Sequence, residues 1–258
     1  MKKSLLVICV ALASIAIVSC NNCIEPKGEF SVSADRKVCF SRGNLQYQAS
    51  TGIWRFAEHQ YDYIGSDNCN ISSDYEGWID LFGWGTGNNP TNNSTYDYDY
   101  IEFKDWGNNT VSNGGGRSGE WRVLTTEEWN YLIENRANAK QLYGAAQIEG
   151  VNGFVFLPDD WKLPAGSSFI SGNSIYRQNS YSSDQWKQME NAGAIFLPTA
   201  GSRKGSIVYG DNFEGNYWSG SVWRGCVDFF EISRGDVDTH HTDMYSKGMS
   251  VRLVREQR

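Results

Sequence analysis

Trp121-Arg122-Val123-Leu124-Thr125-Thr126-Glu127-Glu128-Trp129 carries the start of a helix in its second half. Thr125 and Glu128 have capping-box spacing, in which hydroxyl and carboxylate each satisfy a free backbone N–H. Trp129, Leu132, Ile133 and Arg136 then share one helical face. A second, shorter helix is expected further on, capped by Ser182 and Gln185. Trp186 and Met189 face inward there, and Gly193 ends it at C′.

Around these two helices the pattern is of short strands. Val38 and Phe40, then Leu45 and Tyr47, alternate as half-buried strands do. Ile53 to Phe56 follows the turn signal Thr51-Gly52, which predicts a hairpin. Phe154-Val155-Phe156-Leu157-Pro158 and Ala194-Ile195-Phe196-Leu197-Pro198 are similar apolar runs, a small internal echo. Cys226 to Ile232 and Met249 to Val254 read as two antiparallel neighbours, with Met249, Val251 and Leu253 on one face and Ser250 and Arg252 on the other. Residues 65–119 lack sustained periodicity and are crowded with Gly, Asn, Asp, Tyr and Trp, as long loops are. The fold class expected is α+β.

The N-terminus carries its own message. Lys2 and Lys3 precede an apolar run from Leu5 to Val18, shorter than the ~20 residues of a membrane-spanning helix. The run ends in Ile17-Val18-Ser19-Cys20, which resembles the bacterial lipobox. That resemblance implies a signal peptide over residues 1–19, cleavage before Cys20, and a lipid on its thiol that tethers the chain to a membrane. The alternatives are an ordinary signal peptide with an incidental Cys, or an uncleaved anchor. Residues 20–29 form the tether. The expected address is the cell envelope, at the outer membrane, with the face of that membrane left open.

Losing Lys2 and Lys3 takes 23 basic residues to 21 against 30 acidic ones, a formal charge of −9. With no Lys/Arg run, nucleic acid is not an expected partner. Cys9 leaves with the signal peptide and Cys20 takes the lipid. Cys23, Cys39, Cys69 and Cys226 remain, and four cysteines allow three full pairings that sequence cannot choose between. Unpaired thiols are equally open.

The quoted stretch resembles the W-R-L-P-T-x-x-E-W signature of the Fibrobacter succinogenes major paralogous domain, also found in the more distant formylglycine-generating, sulfatase-modifying family. Four further segments resemble that family's motifs in order: Gly153 to Pro158, Ile195 to Arg203, Gly215 to Ser221 and Gly248 to Val254. The matched part is residues 120–255, within a domain taken as 30–258. The resemblance implies a C-type-lectin-like fold, two short helices against a small twisted antiparallel sheet with long loops, and it places Trp218 as an anchor of the sheet. It does not carry over formylglycine-generating activity. That copper chemistry needs a cysteine pair, and the C-terminal half has only Cys226.

These observations lead to a lipid-anchored, non-catalytic binding module. Its expected ligands are a glycan or an extracellular protein. The other readings are a structural subunit of an envelope or adhesion assembly, and a diverged sulfatase-modifying-type enzyme. Aromatic side chains of the loops are the candidate sugar contacts: Trp78, Trp84, Tyr98 and Trp106, with Trp223 and Arg224 beyond Trp218. Burial of those rings in a loop-rich core is the competing explanation. The run Arg234 to Asp243 is expected as a loop between strands. Asp236, Asp238, His240 and Asp243 are its candidate metal ligands, with calcium the one ion considered. No other cofactor is expected.

Overall fold

The computed structural model describes residues 27–115 and 117–257, and the backbone but not the side chain of Trp223. The expected signal peptide over residues 1–19, Cys20 and Cys23 lie outside the described residues. The chain is mixed α+β, mostly several small antiparallel sheets with a few short helices.

The first strands are β1 (Phe30–Ser31), β2 (Lys37–Phe40), β3 (Leu45–Gln48), β4 (Ile53–Phe56) and β5 (Trp78–Ile79). After helix α1 (Thr126–Asn130) come β6 (Tyr143–Ile148), β7 (Val151–Phe156) and β8 (Ser180–Tyr181). Helix α2 (Ser183–Asn191) leads to β9 (Ile195–Pro198), β10 (Ser202–Lys204) and β11 (Ile207–Tyr209). The chain closes with β12 (Glu214–Trp223), β13 (Cys226–Ser233), β14 (Asp236–Asp243), β15 (Lys247–Gly248) and β16 (Val254–Glu256). They assemble as β1-β2-β16, β4-β3-β5, β8-β6-β7-β9, β11-β10-β15 and β12-β13-β14. All neighbours are antiparallel except β6 and β8.

The opening motif folds as its chemistry dictates. The Thr125 hydroxyl accepts from the Glu128 N–H at 3.3 Å, and the Glu128 carboxylate accepts from the Thr125 N–H at 2.9 Å. The same carboxylate, only 2% exposed, takes a two-pronged contact from Arg122 at 2.7 and 2.8 Å. Trp121 packs edge-on against Phe56, and Trp129 stacks on Phe230 with centroids 4.6 Å apart. The helix continues past Asn130 as a wider turn, Tyr131–Asn135, and Arg136 ends it by donating to the Leu132, Leu142 and Leu157 carbonyls. The second helix matches expectation at both ends. Ser182 and Gln185 form a capping box. At the other end, Gly193 at φ +100° lets its own N–H reach the Glu190 carbonyl and that of Ala194 reach Met189.

The two similar apolar runs lie side by side: Phe154 faces Leu197, and Phe156 faces Ile195, in β7 and β9. The C-terminal strands differ from expectation. The neighbour of β13 is β14, in the order β12-β13-β14. Met249 to Leu253 is buried on both sides, Ser250 and Arg252 included, and only Val254 onward forms a strand, paired with β2. Alternation fails because this segment runs through the interior between sheets rather than along one half-exposed sheet.

Residues 65–119 also turn inward. Short 3-10 turns and isolated bridges such as Phe82 to Met249 and Thr86 to Lys104 hold them. Phe82, Trp84 and Trp106 of this stretch share a core with Trp121, Trp218 and Phe229. A second core gathers Phe30, Phe40, Trp129, Phe156 and Phe230, and a third gathers Trp186, Met189 and Phe196 beneath α2.

Candidate functional site

One face of α2 and the turn after β4 line a cleft of about 490 Å³. Ser183, Trp186, Lys187 and Glu190 come from one face of the helix, at the spacing that stacks side chains along a helix. Glu58, His59, Gln60 and Tyr61 come from the turn, and Arg42 from the segment after β2.

Gln60 fixes this geometry. Its side-chain oxygen accepts from the Phe196 N–H at 2.7 Å and from Arg252 at 2.8 Å, and its amide donates to Glu190 at 3.0 Å and to the Ala194 carbonyl at 3.1 Å. Gln60 is fully buried; of its neighbours, His59 is exposed and Tyr61 is half-buried against the core beneath α2. Their rings lie 5.2 Å apart and within 7° of parallel. Burial, followed by the nearby charges of Asp62, Glu149 and Glu190, raises the Tyr61 phenol above its ordinary range, so it stays a neutral donor. Around the ring pair stand two cations, Arg42 and Lys187, and three carboxylates, Glu58, Asp184 and Glu190. Lys187 is paired with Glu190 at 3.1 Å. The arrangement offers aromatic surface beside hydrogen-bonding groups of both signs, which is binding chemistry for a polyhydroxylated ligand.

The expected loop contacts are largely elsewhere. Trp84 and Trp106 are core residues at 4% and 0% exposure, and the Trp84 indole donates to the Ser219 carbonyl. They present no face to a ligand, because a loop-rich chain uses its largest rings to fill its interior. Trp78 is half-buried with the Arg55 guanidinium 3.6 Å from its ring centroid. Tyr98 is 87% exposed. Arg224 is exposed in the β12–β13 turn at φ +51°, and the Trp223 side chain lies outside the described residues. Trp218 is buried in the sheet.

The Asp/His run is a strand rather than a loop, and this spreads the four candidate ligands along β14 over ~20 Å. Each carboxylate also has a nearer partner. Asp236 accepts from the Val237 N–H, Asp238 from the His240 N–H, and Asp243 from Lys247 at 2.7 Å. His241 sits 3.2 Å from Glu231. No group of three or more potential ligands is placed to hold a metal among the described residues. Cys39 is buried in β2, while Cys69 and Cys226 are exposed on separate elements.

Sequence reading missed His59, Tyr61 and Arg42. Their convergence with α2 depends on contacts spanning about 130 residues. The one local signal was the His-Gln-Tyr alternation, two rings flanking an amide. Comparison with protein families, with curated proteins and with solved structures finds no match.

Proposed function

We propose that this chain is a lipid-anchored, non-catalytic binding module of the cell envelope, C-type-lectin-like in architecture, and that the α2 cleft takes a glycan. The parallel His59/Tyr61 pair beside a ring of charged groups carries this reading. Aromatic faces suit the C–H faces of a sugar, and carboxylates and cations suit its hydroxyls. The lipobox at Cys20 and the ordered family motifs support the anchoring and the architecture. The test is a glycan array probed with the mature chain, its Tyr61→Ala and His59→Ala variants, and Tyr98→Ala. Binding lost in the first two and kept in the third supports the cleft. A blank array from folded protein removes the glycan. Palmitate labelling that disappears in Cys20→Ser supports the anchor.

A second reading, subunit of an envelope assembly, has its own observation. Strand β11 is the outer strand of β11-β10-β15 and exposes Ile207 and Tyr209, at 58% and 49%. Such an edge suits strand addition by a partner. Loss of a defined stoichiometric complex in Ile207→Lys would favour it.

A further inference from the structure

The turn between β13 and β14 is held against the segment before β8. Gly235, at φ +76°, approaches Ser174 so closely that a Cβ there would overlap the Ser174 carbonyl. Its N–H donates to the Tyr176 hydroxyl at 2.9 Å. This docking brings Arg234 and Arg177 into the wall of one shallow pocket of about 340 Å³. Gln147, Asn152, Ser174, Ile175 and Tyr176 complete the lining, and no acidic side chain does. Both guanidinium groups are exposed, and neither has an ion pair or hydrogen bond among the described residues. The other exposed arginines of known surroundings are different: Arg36 lies 3.1 Å from Glu128, and Arg117 lies 3.9 Å from Glu120. Because the Tyr176 oxygen accepts from Gly235, its own proton remains to be donated.

We infer that this pocket is an oxyanion subsite that takes the carboxylate or sulfate group of an acidic glycan. The oxyanion assignment stands on the pocket itself, and the glycan carrier rests on the reading proposed above. Two planar guanidinium groups offer forked donors that match an oxyanion. They stand free in a chain with seven more acidic than basic residues, in which Arg36, Arg117, Arg122 and Arg136 each lie within 4 Å of a carboxylate. A rigid turn presents one of them, so its position is set before the ligand arrives.

The test is phenylglyoxal modification of the mature chain in non-ionic detergent, read residue by residue by mass spectrometry. The probes are sodium sulfate, galacturonate oligomers and neutral dextran, with sodium chloride at matched ionic strength. Saturable protection of Arg177 and Arg234 by sulfate and by galacturonate, with Arg117 unprotected, is the result expected. Arg234→Gln should then raise the sulfate concentration needed to protect Arg177 by about tenfold, the worth of one charge-assisted hydrogen bond. Equal protection by chloride, equal protection of Arg117, or an unchanged midpoint in Arg234→Gln overturns the subsite. Sulfate protection without galacturonate protection overturns the glycan carrier. Galacturonate protection that survives Tyr61→Ala, alongside a blank neutral-glycan array, upholds the subsite while removing the α2 cleft from the function.

Discussion

Glu128 shows how much one side chain can hold. It caps α1, pairs with Arg122 and lies 3.1 Å from Arg36, all while almost fully buried. Glu128→Ala removes the cap and leaves the Arg122 guanidinium without its main partner. The expected loss is about 3 kcal/mol, read from urea denaturation. Asp80 works in the opposite sense. It is fully buried, accepting from Asn68 at 2.8 Å and from the Ile64 N–H at 2.9 Å. Burial pushes its carboxyl up to about 6, against the pull of those hydrogen bonds. Between pH 4 and 6 the folded chain therefore holds a proton that the unfolded chain has released. Its contribution is full below pH 4, falls as pH rises to 6, and is level above that. The drop is about 3 kcal/mol. Stability measured at pH 4, 5, 6 and 7 should show that component in the parent and lack it in Asp80→Asn.

At the level of elements, both helices were legible in the sequence because their signals are local. A hydroxyl with an amide or carboxylate three residues on specifies the start of each, and in α2 a glycine at the far end specifies the stop. Gly193→Ala tests the last of these. The added Cβ would sit 2.8 Å from the Gly28 backbone, at a φ that side chains rarely adopt. A loss of about 2 kcal/mol is expected by thermal denaturation. Strands were legible where one face meets solvent, as in the hairpin of β3 and β4. They were not where the chain runs through the interior, as from Met249 to Leu253. Asp236 to Asp243 misled for a related reason. Polar residues suggest a loop, yet β14 is an outer strand whose side chains mostly meet water, so sequence composition there reflects exposure and not backbone shape.

Taken whole, the molecule is held by rings and arginines more than by long regular elements. Trp84 and Trp106 belong to its interior. Trp106→Ala should cost about 3–5 kcal/mol in folding stability, and a melt of that variant would show it, whereas Tyr98→Ala should leave the melt unchanged. Two buried arginines act in the same way. Arg203 is buried and donates to the carbonyls of Leu81 and Gly205. Arg252 is buried and donates to Gln60 and Asn44. Burial lowers each to about 10, still charged at neutral pH. The candidate cleft was illegible for the same reason that these arginines matter: its walls meet through distant contacts.

Arg252 and β16 set an order of events. The chain's earliest sheet, β1-β2-β16, is completed by residues 254–256, and Asn44 and Gln60 receive their partner from residue 252. These first strands therefore cannot close until residues 252–256 have been made. Contacts of such long sequence separation form slowly. Truncation after residue 250 should yield a chain that is made but never becomes protease-resistant, because it lacks Arg252 and β16.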